Sequence, residues 1–315
     1  MAKKKLPQIV KQIQKFPLKE INYAYQKSIS FSQFSTYMAC PRKWQLQYKE
    51  GHYSESSINM TFGTALHETI QHYLTNIYED SIAAADRVDL EEHFEESFRK
   101  AYLKDYKTNK KVHFSNPSEM NEFFEDGLEI IRFLKKKKGG YFSKRGWYLI
   151  GCEVPILLTP QPEYPNVLYK GYLDVVLYHE PTNTFEIIDI KTSTRGWSDK
   201  EKKDEIKQLQ LILYKKFFAQ QFNVPVDTIN VKFFIVKRKI WENSDYPMSR
   251  IQEYAPASGK VKLNKATNYI NDFIKEIFNQ DGTHITKKYE ATPSANSCRF
   301  CIFKDKKELC DKGVS

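Results

Sequence analysis

The sequence predicts an α/β fold: a central mixed β-sheet flanked by helices, with a helical N-terminal part and a cysteine-bearing C-terminal segment. Three observations predict it. Apolar residues recur at helical spacing through about the first 140 residues. From Trp147 onward the pattern switches to β-branched and aromatic alternation. Strand-like and helical runs then interleave, as they do where helices cover both faces of a sheet. With 315 residues, 41% of them hydrophobic, the chain can form one large domain or a domain with an appendage.

Taken in order, residues 1–29 are basic and poorly patterned and read as an arm or a loosely packed helix. Ser30 and Ser32 are candidate N-caps for the 31–50 segment, which runs helical up to Cys40-Pro41. Residues 63–79 place Leu66, Ile70, Tyr73, Leu74 and Ile77 on one helical stripe. Residues 88–107 and 118–138 are also helical, and the second closes on four lysines and Gly139-Gly140, a helix C-terminus signature. Strands are expected at 147–158, 168–179, 184–192 and 229–238, with an edge strand at 250–256. Helices are expected at 199–222 and 262–279. The organisation is therefore an arm (1–29), a helical part (30–145), a sheet-bearing core (146–260) and a C-terminal helix with a cysteine-rich tail (261–315).

A formal net charge of +10 points to a polyanionic partner, nucleic acid being the commonest. No apolar run approaches the roughly 20 residues that cross a bilayer. The opening Met-Ala-Lys-Lys-Lys has no apolar stretch after it, so no secretory signal is expected. No membrane association is expected, and the protein is placed in the cytoplasm of its cell, or of a host cell if it is viral. In that reducing setting the five cysteines read as buried residues or metal ligands rather than disulfides.

The strongest chemical signal lies in a hairpin. If 169–179 pairs antiparallel with 184–191 across Pro181-Thr182, Glu180 faces Asn183, and the same register sets Asp174 opposite Asp189. Opposed residues on one face have Cβ atoms about 5 Å apart. Two carboxylates among Val175, Val176, Ile187, Ile188 and Ile190 require a cation or a shared proton. Lys191 follows Asp189 by two residues and shares its face. Two hard oxygen donors and an ammonium suit Mg²⁺ or Mn²⁺ and phosphodiester hydrolysis; they also suit a structural ion-pair cluster.

Two helices carry polar residues toward apolar faces. In 199–222, Gln210 falls inside the arc of Ile206, Leu209, Leu213 and Phe217, with Tyr214 one turn on and Gln208 opposite. Such an amide needs a partner: either it orients water, lysine or phosphate, or it is a satisfied core glutamine. His67 flanks the stripe of 63–79, as a packed histidine or as a ligand suited to Mn²⁺.

Cys298-x2-Cys301-x8-Cys310, together with the distant Cys40, supplies four sulfurs. These suit structural Zn²⁺ or an iron–sulfur cluster that would act as a metal staple between the chain's two ends. Cys152 lies in an apolar strand and reads as simply buried.

Together these segments resemble the RecB-type branch of the PD-(D/E)XK nucleases, and most closely the CRISPR-associated and helicase-associated exonucleases that carry a [4Fe-4S] cluster. The likeness rests on Ser30 to Arg42, Gly63-x3-His67, Gly171-Tyr172-Leu173-Asp174, Ile188-Asp189-Ile190-Lys191-Thr192, Gln210-x3-Tyr214 and the cysteine triad, in that order. It implies a restriction-endonuclease-like core. It also implies a metal held by His67, Asp174, Asp189 and the Ile190 carbonyl, with Lys191 as a catalytic residue and Gln210 and Tyr214 closing the site. The [4Fe-4S] cluster would sit on Cys40, Cys298, Cys301 and Cys310. The spacing to Cys310 is longer than is usual in that group, and the second acidic position is Asp rather than Glu.

The resulting expectation is a metal-dependent deoxyribonuclease, an exonuclease more than an endonuclease. It would act on single-stranded or free-ended DNA in recombination, repair or replication, with a helicase or recombination partner. Lys107, Lys110, Lys111, Lys135 to Lys138, Lys144, Arg145, Arg195 and Lys237 to Lys239 are candidate phosphate contacts or simply a solvated surface, and Trp197 is either a base-stacking or a packing residue. The rivals are an inactive DNA-binding scaffold of the same fold, a sequence-specific endonuclease, and a zinc-stabilised RNA-binding protein.

Overall fold

The computed structural model describes residues 5–52, 56–241, 246 and 248–314. The first four residues, which carry the basic opening, lie outside the described part. Eleven α-helices and six strands follow one another among the described residues. The helices are α1 (Gln8–Gln14), α2 (Phe31–Ala39), α3 (Pro41–Trp44), α4 (Ile58–Glu79), α5 (Ile82–Arg87), α6 (Leu90–Thr108), α7 (Pro117–Lys137), α8 (Asp199–Lys202), α9 (Glu205–Phe222), α10 (Lys260–Ile277) and α11 (Ala295–Cys298). The strands are β1 (Lys27–Ile29), β2 (Trp147–Leu158), β3 (Val167–His179), β4 (Thr184–Ser193), β5 (Ile229–Lys237) and β6 (Ile251–Tyr254).

The sheet is mixed, in the order β1-β3-β4-β5-β6, with β2 along the other edge of β3. Its two faces carry separate apolar layers. One face packs against α1, α2, α9 and α10 through Ile29, Tyr169, Ile187, Phe233, Leu213 and Phe273. The other packs against the α4, α6 and α7 group through Val175, Ile188, Ile190, Phe234, Leu66 and Phe94. This is the helix-flanked α/β arrangement with a helical N-terminal part that the patterning predicts.

Local chemistry sets most element ends. Ser30 caps α2, accepting a hydrogen bond from Gln33 N at 3.3 Å. The expected single helix over 199–222 is two: Asp204 interrupts it, and its carboxylate caps α9 by accepting from Ile206 and Lys207 N–H. The 180–183 turn places Asn183 in the left-handed region at φ 51°, a conformation asparagine tolerates. In α7, Gly127 is required because a Cβ there would sit 2.2 Å from the ring of buried Phe94.

Of the two readings for the first 29 residues, an arm or a loosely packed helix, residues 5–29 favour the helix, which is firmly packed, and they add a short strand. α1 buries Val10 and Ile13 in the main core, and β1 pairs in parallel with Val167–Tyr169 of β3. Seven and three residues are too short to show periodicity, so these elements owe their form to the surfaces they cover.

The chain's two ends do meet, and protein contacts hold them there. Arg42 Nε donates to Leu309 O at 3.1 Å, and Thr292 Oγ1 donates to Ala39 O at 3.2 Å. Trp44 joins Tyr37, Phe273 and Tyr289 in an aromatic cluster.

Candidate active site

The register of the β3–β4 hairpin decides what the two strands bring together. His179 pairs with Thr184, and the ladder continues without a slip to Val175 opposite Ile188. The next opposed residues are Asp174 and Asp189, where the ladder stops. β1 pairs with β3 only as far as Tyr169, and β4 only from Val175 onward. Residues 170–174 of β3 therefore carry no strand on that edge, and this notch holds the site.

Each carboxylate is held differently. Asp174 Oδ2 accepts from the Ile190 backbone N–H at 2.7 Å and lies 3.7 Å from His67 Nδ1. Asp189 is 2% exposed, and its Oδ2 lies 2.8 Å from Lys191 Nζ. That contact is an ion pair, and no well-directed hydrogen bond reaches the same oxygen. Burial, followed by the charge of Asp189, holds the Asp174 carboxyl well above the usual carboxylate range. Burial also raises Asp189, with Lys191 opposing. Burial works against the Lys191 ammonium, but Asp189 and Asp174 outweigh it and keep it above its ordinary range.

Helix α4 delivers His67 from the opposite layer. Gly63 lets the helix approach β4 closely, since a Cβ there would come within 3.3 Å of Thr192 Oγ1. Burial, then the Lys191 charge, lowers the imidazole to about 4, while a hydrogen bond to the Ile190 backbone raises it. The ring is thus neutral at pH 7, the state in which imidazole can ligate a metal. Ile190 serves the site through its backbone; its side chain is buried in the helical layer.

From the α9 side, Gln210 Nε2 donates to Tyr214 Oη at 3.3 Å, and both residues line the same cavity as Asp174. Gln208 points elsewhere, donating to Tyr254 Oη at 3.0 Å. Asp174 is thus the common point: it lies beside His67 and Ile190 N–H, feels the charges of Asp189 and Lys191, and lines one cavity with Gln210 and Tyr214.

Two further residues belong to the site. Gln71, one helical turn beyond His67, bridges Glu153 Oε1 at 2.7 Å and Asp174 O at 3.0 Å. Its i+4 spacing from His67 was a usable sequence signal. Glu153 adopts a left-handed φ of 51° in β2 opposite Asp174, without a slip of the ladder, a conformation that alternation alone does not reveal. Tyr169 is fully buried with its hydroxyl unpartnered, and its surroundings include Tyr214 and Asp189.

Among the described residues no group of three or more His, Cys, Asp or Glu side chains is preassembled to hold a metal ion. What fits a hard divalent cation is the donor chemistry: two carboxylates held above their usual range, a buried oxygen without a directed donor, and a neutral imidazole.

The sequence matches the PD-(D/E)XK nuclease superfamily over residues 28–306. The chain belongs to the PD-(D/E)XK nuclease superfamily. Membership implies a metal-dependent nuclease, and these enzymes generally use Mg²⁺ or Mn²⁺. A comparison with curated proteins returned no match.

Around this PD-(D/E)XK notch several sequence expectations change. Trp197 is buried against Phe233 and cannot stack on a base; Arg195 instead lies 5.3 Å from the ring of Trp241, which is 67% exposed. Arg238 and Lys239 are engaged by Glu122 and Asp126, and Lys138 by Asp86. Lys135 donates to the Asp86 and Val88 carbonyls. These four cations are structural, whereas Lys107, Lys110 and Lys111 are exposed.

Cys40, Cys298, Cys301 and Cys310 line one small pocket, with Arg42, Lys43 and Lys304 around it. All four are free thiols, and the pocket is not a preformed metal cage. A backbone hydrogen bond to Val314 lowers the Cys298 thiol. Cys152 stands apart, its thiol raised to about 11 by burial. No helix among the described residues is long and apolar enough to cross a membrane.

Proposed function

We propose that this protein is a deoxyribonuclease, an exonuclease acting on single-stranded or free-ended DNA in recombination, repair or replication. The observation that carries the reading is the convergence of Asp174, Asp189 and Lys191 in a notch that His67 enters from the opposite layer. A divalent cation on Asp174, Asp189, His67 and the Ile190 carbonyl would supply Lewis-acid polarisation of the phosphate and a more acidic water. Lys191, held as an ammonium, offsets the charge that develops on the phosphate oxygens. Gln210 and Tyr214 orient the phosphate or the attacking water, and Gln71 fixes the strand that carries Asp174. The net charge of +10 suits a polyanionic substrate and, with five free cysteines, a working place in the reducing cytoplasm. A helicase or recombination protein that supplies free ends is the partner expected.

The test is degradation of end-labelled linear single-stranded DNA with Mn²⁺ or Mg²⁺, beside a closed circle of the same sequence. Mononucleotides or short products from the linear strand alone are expected. Cutting of the circle would make it an endonuclease. No cleavage of any DNA by folded protein would leave the inactive scaffold as the reading.

The four thiols in one pocket support a second metal centre, an iron–sulfur cluster, with Zn²⁺ as the alternative. Protein purified without oxygen is expected to be coloured and to contain iron and sulfide. Colourless protein with one zinc per chain would replace the cluster with Zn²⁺, and absence of both would leave four plain thiols.

A further inference from the structure

We infer that a trough leading away from Asp174 is the seat of an unpaired polynucleotide strand, whose bases stack on Tyr172 and Tyr23. The inference rests on the nuclease reading and names the path its substrate takes. Three cavities make the trough. The first, about 320 Å³, is bordered by Asp174, Gln210 and Tyr214. The second, about 420 Å³, shares Lys170, Gly171 and Tyr172 with the first and runs along residues 18–23. The third, about 270 Å³, shares Leu18 and Pro155 with the second and ends against Gly151 and Cys152. Shared lining residues set the three side by side along the N-terminal segment and strands β2 and β3.

The lining suits a single strand. Tyr172 is 46% exposed and Tyr23 61% exposed, and both line the second cavity, so neither ring is committed to the core. Every base has a face that stacks on such a ring, which makes this contact tolerant of sequence. Lys170 Nζ lies 5.9 Å from the Tyr172 ring centroid, and Lys19 lines the second cavity together with Glu20, so two cations and one carboxylate accompany the rings there, while Glu153 and Asp174 mark the metal-binding end of the first cavity. The floor between the cavities is Gly171, where a side chain would crowd Tyr169 and Tyr214 at 3.2 and 3.3 Å. Over residues 170–174 the edge of β3 away from β2 has no strand partner, leaving that edge of the backbone open. Continuity with the Asp174 notch selects the occupant, because a strand lying over Tyr172 arrives at the carboxylates two residues on.

The experiment measures equilibrium binding of labelled single strands of 4 and 16 nucleotides, as DNA and as RNA. It uses full-length protein carrying Asp189→Ala, so that binding is read without turnover. Tyr172→Ala should weaken both lengths about fivefold or more. Tyr23→Ala should weaken the longer strand by a similar factor and the shorter one little, because Tyr23 lies farther from the notch. Tyr172→Phe and Tyr23→Phe should restore binding. Both residues are exposed, so the variants should fold like the parent. Unchanged affinity in both alanine variants, or equal losses for a duplex or a peptide competitor, would overturn the inference. If the wild type cleaves nothing yet shows this ring-dependent binding, the trough stands and the catalytic reading falls. Cleavage with no ring dependence gives the reverse. DNA and RNA bound alike would make the trough blind to the sugar.

Discussion

Asp174→Asn is expected to lose cleavage by about 10²–10³-fold or more and yet leave the metal-free protein more stable than wild type at pH 7. Asp174 is a carboxyl that burial and Asp189 hold well above its usual range, so its ionisation opposes folding. An asparagine oxygen can still accept from Ile190 N–H, while the repulsion disappears. With that penalty gone, the variant is expected to unfold at a higher temperature than wild type at pH 7. The sign fixes the pH dependence. A raised folded-state value contributes stability below the unfolded carboxylate range near about 4, and that contribution is lost as pH rises through the folded-state value. The variant's advantage should therefore vanish in acid. Lys191→Ala should also lose cleavage but with the opposite stability change, a loss of about 1–3 kcal/mol, because it strips the counter-charge from buried Asp189. Thermal unfolding in chelator at pH 5 and pH 8 separates the two. Adding Mn²⁺ should raise the melting temperature of the wild type far more than that of Asp174→Asn. An Asp174→Asn protein less stable than wild type in chelator would show that the carboxylate pair carries no such cost.

That result would also measure how far local pattern dictates the site. The hairpin register was legible because a two-strand unit with a tight turn leaves little freedom between Glu180 and Asp189. His67 and Gln210 were legible as polar residues at apolar helical positions, although only the fold shows that their helices approach the notch from opposite faces of the sheet. What was hidden depends on contacts distant in sequence. Trp197 follows Arg195 closely in the chain but turns into the core; backbone hydrogen bonds from Arg238 to Ser193 and from Lys239 to Thr194 bring Trp241 to Arg195 instead. Arg238 and Lys239 look like free cations until α7 supplies Glu122 and Asp126. Residues 5–29 lack a periodic signal, yet they form one wall of the trough and extend the sheet.

The second large effect concerns the junction of the chain's two ends. Trp44→Ala is expected to cost about 3–5 kcal/mol, the range for truncating a buried aromatic. Trp44 is 1% exposed, and its ring lies 5.4 Å from Tyr289, 6.0 Å from Tyr37 and His284 and 6.2 Å from Phe273. It therefore ties α3, which directly follows Cys40, to the segment that leads to Cys298. The loss should be local before it is global, because Trp44 is the hub of the aromatic contacts between the ends, and the hydrogen bonds beside it, from Tyr289 N–H to Gln45 and from Lys49 to Ile285 O, rely on the same packing. Limited proteolysis should cut within residues 279–294 well below the main melting transition, and the tail thiols should react with a thiol reagent faster than in the wild type. Trp44→Phe should recover much of the stability: it keeps most of the ring and removes an indole N–H that has no partner. If Trp44→Ala melts in a single step with no early cleavage, the ends are held by the thiol pocket itself. A metal on those four cysteines would then be the staple, and stripping that metal should produce the opening that the tryptophan substitution did not.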